Sequence, residues 1–206
     1  GYACSNLTLQ EQDGTTPARS CKLATLLKSD NPLKHCIELA RKNLSDTLKI
    51  LKWNNENNIK MYRLSASMFP FATHKDFLWK LDDLMDEIKE IGRMVKQADM
   101  RVSSHLPQFI NLGSPDNEVV RKSINDLEFH ADFFDRMSLG PEHKIVIHAG
   151  GVYEDREETV KRFVSTYNSL SDSVKKRLVI ENDEKSWTIG QLMDIHSLAG
   201  ITVIID

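Results

Sequence analysis

The sequence has 206 residues, 40% hydrophobic and 28% charged, with a formal net charge of −3 at pH 7. That balance describes an ordinary globular protein with a sizeable core and excludes global attraction to nucleic acid, although a local basic rim on a mildly acidic body still binds phosphates. Apolar runs of four to six residues exclude a membrane-spanning helix, and the three cysteines (Cys4, Cys21, Cys36) form no CxxC pair.

In chain order, Tyr2 to Asn6 reads as a first strand. Gln10 to Pro32 is irregular, with a turn-rich loop around Asp13, Gly14, Thr15, Thr16 and Pro17. Leu33 to Asn57 reads as a helix, with Ile37, Ala40, Leu44, Leu48 and Leu51 on one stripe. A strand over Lys60 to Ser65 follows, then a helix over Leu81 to Gln97 carrying Leu84, Ile88, Ile91 and Val95. After a strand over Met100 to His105, Pro115 and Asp116 start a helix over Glu118 to Leu139, with Val120, Ile124, Leu127, Ala131 and Phe134 inward. Strands over Lys144 to His148, Arg177 to Glu181 and Ile201 to Asp206 alternate with short amphipathic helices over Glu157 to Tyr167 and Ile189 to Leu198.

The runs IVIH, LVIE and TVIID are apolar almost to their last residue, the pattern of strands covered on both faces in a parallel sheet. Strand and helix alternate until a sixth strand, which predicts an α/β chain, either doubly wound or a (β/α)8 TIM-type barrel. No Gly-rich phosphate loop follows the first strand, and polar chemistry sits at strand ends; both favour the barrel. That fold has eight strands in about 250 residues. The chain is therefore expected to be a single domain over 1–206, the N-terminal part of a barrel, incomplete after six strands. No signal peptide is visible, and with the cysteine usage this predicts a cytoplasmic protein.

Ligand-type side chains recur at successive strand ends: His105 in SSHLP, His148 in VIHAGG, Glu181 in VIEND and Asp206 in VIID. Parallel neighbours lie about 4.8 Å apart, so the four reach one mouth. Imidazole mixed with carboxylate suits Zn²⁺ or Mn²⁺. His74 in FATHKDF follows the second strand, where either a fifth ligand or a loop histidine with a local hydrogen bond fits. His35, His130, His143 and His196 fall on helices or helix-to-strand connections and read as structural or surface residues. A carboxylate where an apolar strand ends needs a partner, which singles out Glu181; Asn182 and Asp183 then either orient its surroundings or cap the turn before Ser186. Gly150 and Gly151 suit a tight βα turn or a phosphate cradle, and Asn111, Gly113, Ser114 and Pro115 form another loop over the same mouth.

Taken together and in order, GYACSNLTL, YRLSASMFPFATH, SSHLPQFINLGSP, VIHAGGVY, VIENDEKSW and VIID resemble the UV damage endonucleases of bacteria, archaea and fungi. The resemblance implies a metal-dependent barrel related to the endonuclease IV family, which hydrolyses DNA 5′ to cyclobutane pyrimidine dimers and 6-4 photoproducts, leaving 3′-hydroxyl and 5′-phosphate ends. It implies up to three divalent metals, Mn²⁺ first with Zn²⁺ or Mg²⁺ as alternatives, held by His74, His105, His148, Glu181 and Asp206. Other ligands would come from a last third that the chain is read as lacking. Glu181 is then the bridging catalytic carboxylate, and His105 and His148 hold a metal near the phosphate. Gln108 and Phe109 match a Gln-Tyr lesion probe with phenylalanine in place of tyrosine, and Tyr2 and Asn6 match residues that face damaged DNA, a core aromatic being the other reading of Tyr2. Lys75 and Arg101 are candidate phosphate contacts or plain surface charges. The implied partner is damaged duplex DNA and the implied form a monomer in the bacterial cytoplasm, at the nucleoid during repair, with no membrane. Two other readings fit the same strand ends: a metal-dependent sugar isomerase, and a truncated, catalytically inactive piece.

Overall fold

Helices and parallel strands alternate along the chain in a computed structural model that describes residues 1–77, 79–153 and 155–205. The strands are β1 (Tyr2–Ala3), β2 (Met61–Leu64), β3 (Arg101–His105), β4 (Ile145–His148), β5 (Leu178–Glu181) and β6 (Thr202–Ile204). Between them lie α1 (Leu7–Asp13), α2 (Leu23–Leu26), α3 (Pro32–Glu56), α4 (Met85–Gln97), α5 (Asn117–Arg136), α6 (Arg156–Ser169), α7 (Asp172–Lys175) and α8 (Ile189–Ala199), with short 3₁₀ turns at Ala66–Met68 and Leu81–Leu84. The strand order is β1-β2-β3-β4-β5-β6. A doubly wound sheet reverses its order at a switch point; an order that follows the chain without reversal belongs to the (β/α)8 barrel type, and six of that fold's strands are present here. Among the described residues no helix is long and apolar enough to cross a membrane.

Contacts divide the chain into two compact units, Gly1–Ser104 with Phe133–His143, and His105–Asp132 with the chain from Lys144 onward. In the first unit β1, β2 and β3 pair in parallel, with Tyr2 opposite Tyr62 and Tyr62 opposite Val102. The predicted first strand is shorter than expected. Cys4 takes a left-handed φ of 57°, which ends the ladder, and Asn6 becomes the N-cap of α1 by accepting from the Leu9 N–H.

The predicted long helix is α3, started by the Asn31 cap and Pro32. Its apolar stripe of Cys36, Ala40, Leu44, Ile50 and Leu51 is interrupted by buried Asn43 and Asp46. These two residues order the stretch that the sequence leaves irregular. Asn43 donates to the carbonyls of Arg19 and Met68 and accepts from the Arg19 N–H. The Asp46 carboxylate accepts from the Thr16 N–H at 2.9 Å and pairs with the Arg19 guanidinium at 2.7 Å. Polar groups placed on a helix stripe thus satisfy the backbone of a loop that has no ladder of its own.

Cys36 is fully buried on α3, and burial, followed by the nearby Cys21 thiol, pushes its pKa from 9.0 up to about 11. At pH 8 its thiolate fraction is on the order of one in a thousand, so a thiol-reactive disulfide reagent is expected to label Cys4 and Cys21 quickly and Cys36 only on unfolding. A raised folded-state pKa contributes stability below the unfolded value, and that contribution is lost as pH rises from about 9 to about 11.

In the second unit β4, β5 and β6 pair in parallel; β5 is buried along its length and β4 up to His148, which is half-buried. The predicted helices over Glu157 to Tyr167 and Ile189 to Leu198 appear as α6 and α8, which pack on each other. Asp155 caps α6 by accepting from the Glu157 and Glu158 N–H groups. Thr188 and Gln191 form a reciprocal capping box on α8.

Candidate metal centre

The register of β4 and β5 builds the site. His148 is the direct cross-strand partner of Glu181, with Ile147 paired to Ile180 and Val146 to Val179 beneath them. Both strands therefore run apolar through the layer and emerge at the same level, one as an imidazole and the other as a carboxylate. His105 ends β3, and the next residue continues the ladder, with the Leu106 N–H bonded to the Val146 carbonyl at 2.9 Å.

The three side chains converge. Glu181 Oε1 contacts His105 Nε2 directly and lies 3.3 Å from His148 Nε2. The two imidazole rings meet edge to face at 5.1 Å. One donor atom from each of His105, His148 and Glu181 lies within 4.8 Å of the others. Glu181 is only 5% exposed, and among the described residues its ion-pair partners are these two imidazoles. A buried carboxylate with no permanent cation beside it is poorly compensated, whereas a divalent ion among two imidazoles and one carboxylate compensates it fully. The donor set therefore fits a divalent transition metal.

A polar groove of about 680 Å³ opens beside the triad, lined by Gln108, His148, Gly150, Gly151 and the turn from Asn182 to Ser186. That turn is closed by Asp183, whose carboxylate accepts from the Lys185 and Ser186 N–H groups at 2.7 and 2.5 Å. Of the two roles open to Asp183 in the sequence, turn capping is the one its contacts fill. Gly150 has a φ of 88°, the left-handed turn expected of a glycine after a strand. Gln108 lines the groove, and the ring of Phe109, next in the chain, is 68% exposed.

The remaining candidates have other surroundings. His74 belongs to the first unit, where its ring lies against Phe71 and Phe77 and its Nδ1 accepts from the Asp76 N–H at 3.3 Å. Tyr2 donates to Asn54 Oδ1 at 2.6 Å and accepts from Asn6 Nδ2 at 2.7 Å, so both N-terminal candidates sit in one hydrogen-bonded network. Burial, only partly offset by these bonds, raises the Tyr2 hydroxyl above its ordinary pKa. Asp206 lies outside the described residues. Arg101 is exposed, as is Lys75.

Sequence reading does not single out Tyr153, Arg156 or Trp187 as site residues. All three pack around the loops that carry the ligands: Tyr153 accepts from Asn111 Nδ2 at 2.8 Å, Trp187 donates to the Gly150 carbonyl at 2.7 Å, and Arg156 stacks over Trp187 at 4.9 Å. A tryptophan directly before a helix cap and an aromatic shortly after a Gly-Gly turn were the available signals.

Solved structures with the same fold include the crystal structure of SacUVDE, which matches with a TM-score of 0.90 at 33% identity and covers 100% of this chain and 68% of that one. The crystal structure of D-psicose 3-epimerase in the presence of D-fructose matches with a TM-score of 0.56 at 13% identity, over 77% of this chain and 56% of that one; this likeness is one of fold alone. Among curated proteins, the chain is 36% identical over 208 residues to the UV DNA damage endonuclease of Clostridium perfringens and 32% identical over 211 residues to the UV-damage endonuclease of Schizosaccharomyces pombe. All of this chain is matched in both, but it spans only 48% and 35% of their lengths. The family model for UV-endonuclease UvdE matches residues 1–206. A match over the whole length, on a chain whose strand ends converge as these do, makes this chain a member of the UV-endonuclease UvdE family.

Proposed function

We propose that this chain carries part of the active site of a metal-dependent endonuclease that hydrolyses duplex DNA 5′ to UV lesions, leaving 3′-hydroxyl and 5′-phosphate ends. The observation that carries the reading is the convergence of His105, His148 and Glu181 within 4.8 Å beside an open polar groove. Mn²⁺ is the proposed metal, on a donor set that mixes imidazole with carboxylate. Bound there, a divalent cation supplies a water of lowered pKa and charge stabilisation at the phosphate.

The chain's own residues take the following proposed roles. Glu181 would serve as the shared catalytic carboxylate, His105 and His148 would hold a metal on the phosphate side, and His74 and Asp206 would complete the ligand set. Phe109, exposed beside the groove, stacks beside the lesion, since stacking needs a π face and no hydroxyl. Gln108 and the Tyr2–Asn6 network contact the damaged strand. A lesion weakens its own pairing, so a damaged site opens at lower cost than an intact one.

The test is a duplex with one defined thymine dimer, incubated with and without Mn²⁺, using the chain extended to the length of its relatives. The expected outcome is a single Mn²⁺-dependent nick 5′ of the dimer. An uncut dimer with intact protein would overturn the reading.

A further inference from the structure

We propose that Trp187 is a positioning residue for the His148–Glu181 pair: its indole N–H holds the loop that carries His148 and so sets the donor spacing on which divalent-metal binding depends. The inference rests on the metal-site reading above and adds to it a residue outside the ligand set.

A metal-ligating histidine is ordinarily oriented by an acceptor on its other ring nitrogen. Among the described residues His148 lacks this: Nδ1 is buried with no hydrogen-bond partner, while Nε2 faces Glu181. The placement of the ring therefore depends on its backbone and on whatever fixes the loop behind it. Two residues on, the Gly150 carbonyl accepts from Trp187 Nε1 at 2.7 Å. The intervening Ala149 is fully buried, so little slack separates the hydrogen bond from the ligand.

Trp187 is itself fixed. Its side chain is 1% exposed. On one side, its own carbonyl accepts from the Asp183 N–H at 3.1 Å, closing the turn that begins after Glu181. On the other side, Thr188 is the N-cap of α8. Arg156 lies 4.9 Å over the indole and donates to the Ser186 carbonyl at 2.9 Å. The opposite flank of Gly150 is equally constrained. A Cβ at Gly150 would fall 2.5 Å from the Asn111 side chain, which donates to Tyr153 and accepts from the Gly113 N–H. Gly150 is thus held between an indole donor and an asparagine wedge, and the loops after β3, β4 and β5 meet there.

A buried indole N–H needs an acceptor even where it serves packing alone, so the decisive experiment removes the donor and keeps the ring. Benzothienylalanine placed at position 187 substitutes sulfur for the N–H. The readouts are the Mn²⁺ dissociation constant by calorimetry and, in metal-free protein, the His148 ring ¹H–¹⁵N resonances. The sulfur analogue is expected to weaken Mn²⁺ binding by about tenfold and to displace the His148 resonances. 7-Azatryptophan, which retains the N–H, is expected to preserve both. W187F, which loses the donor and part of the ring, should shift both readouts in the same direction as the sulfur analogue. Unchanged affinity with the sulfur analogue overturns the proposal. If the parent protein itself binds no Mn²⁺, the metal-site reading fails separately. The metal-free spectra then decide the positioning role: unmoved His148 resonances overturn it, and displaced ones support it.

Discussion

Glu181→Gln is expected to lower Mn²⁺ affinity by on the order of 100-fold or more while leaving the metal-free fold intact. Altering a residue one shell out from a metal commonly costs about 10–100-fold, and Glu181 supplies the one carboxylate of the described triad. The neutral amide has nearly the same shape but offers a weak oxygen donor in place of an anion. Stability should move little, for a physical reason. A carboxylate 5% exposed and paired, among the described residues, with imidazoles alone already carries a desolvation cost that its contacts barely offset. The measurement is thermal unfolding with and without Mn²⁺. For the parent protein, ligand at about 100 times its dissociation constant adds about 2.7 kcal/mol, whereas the variant should show almost no shift. A variant that binds Mn²⁺ as tightly as the parent would remove Glu181 from the centre. One that unfolds without metal would show instead that the residue is chiefly structural.

Gly92→Ala is expected to destabilise the first unit by about 2–3 kcal/mol or more, opposite in sign to the helix-propensity effect. Alanine inside a free helix gains about 1 kcal/mol over glycine. Gly92 lies on the buried face of α4, and a Cβ there would sit 2.2 Å from the Met137 carbonyl oxygen and 2.9 Å from its Cα. These are backbone atoms, so no side-chain rotation relieves the clash. Met137 is also held by its N–H bond to Phe133, and the following Ser138 has a φ of 55°. Gly190→Ala supplies the control. Gly190 lies in α8, with its nearest neighbour atom, Thr188 Oγ1, 4.0 Å away. That substitution should be neutral or stabilising by up to about 1 kcal/mol. Chemical denaturation of the two variants against the parent measures both, and equal effects would show that space at Gly92 is not what is limiting.

Much of the architecture was legible in the residues themselves. IVIH and LVIE carry their apolar runs up to His148 and Glu181, because a strand covered on both faces has polar groups only where it leaves the layer. The stripes of α3 and α4 follow from helical spacing; α3 lies within one residue of its predicted bounds, whereas α4 starts four residues later than predicted because Leu81–Leu84 form a 3₁₀ turn. Other features depended on groups far apart in the chain. The first strand is cut to Tyr2–Ala3 by the left-handed backbone of Cys4, which β-propensity does not register. The segment before α3 looks irregular because its backbone partners, Asn43 and Asp46, lie 24 and 30 residues away. Sequence spacing thus determined which side chains stand at strand ends, since alternation and apolar coverage are local properties. Tertiary structure alone decided that His105, His148 and Glu181 come within 4.8 Å, that Gly92 must lack a side chain, and that Trp187 reaches Gly150. Each depends on the distance between chain segments that meet only on folding, and no local periodicity encodes such a distance.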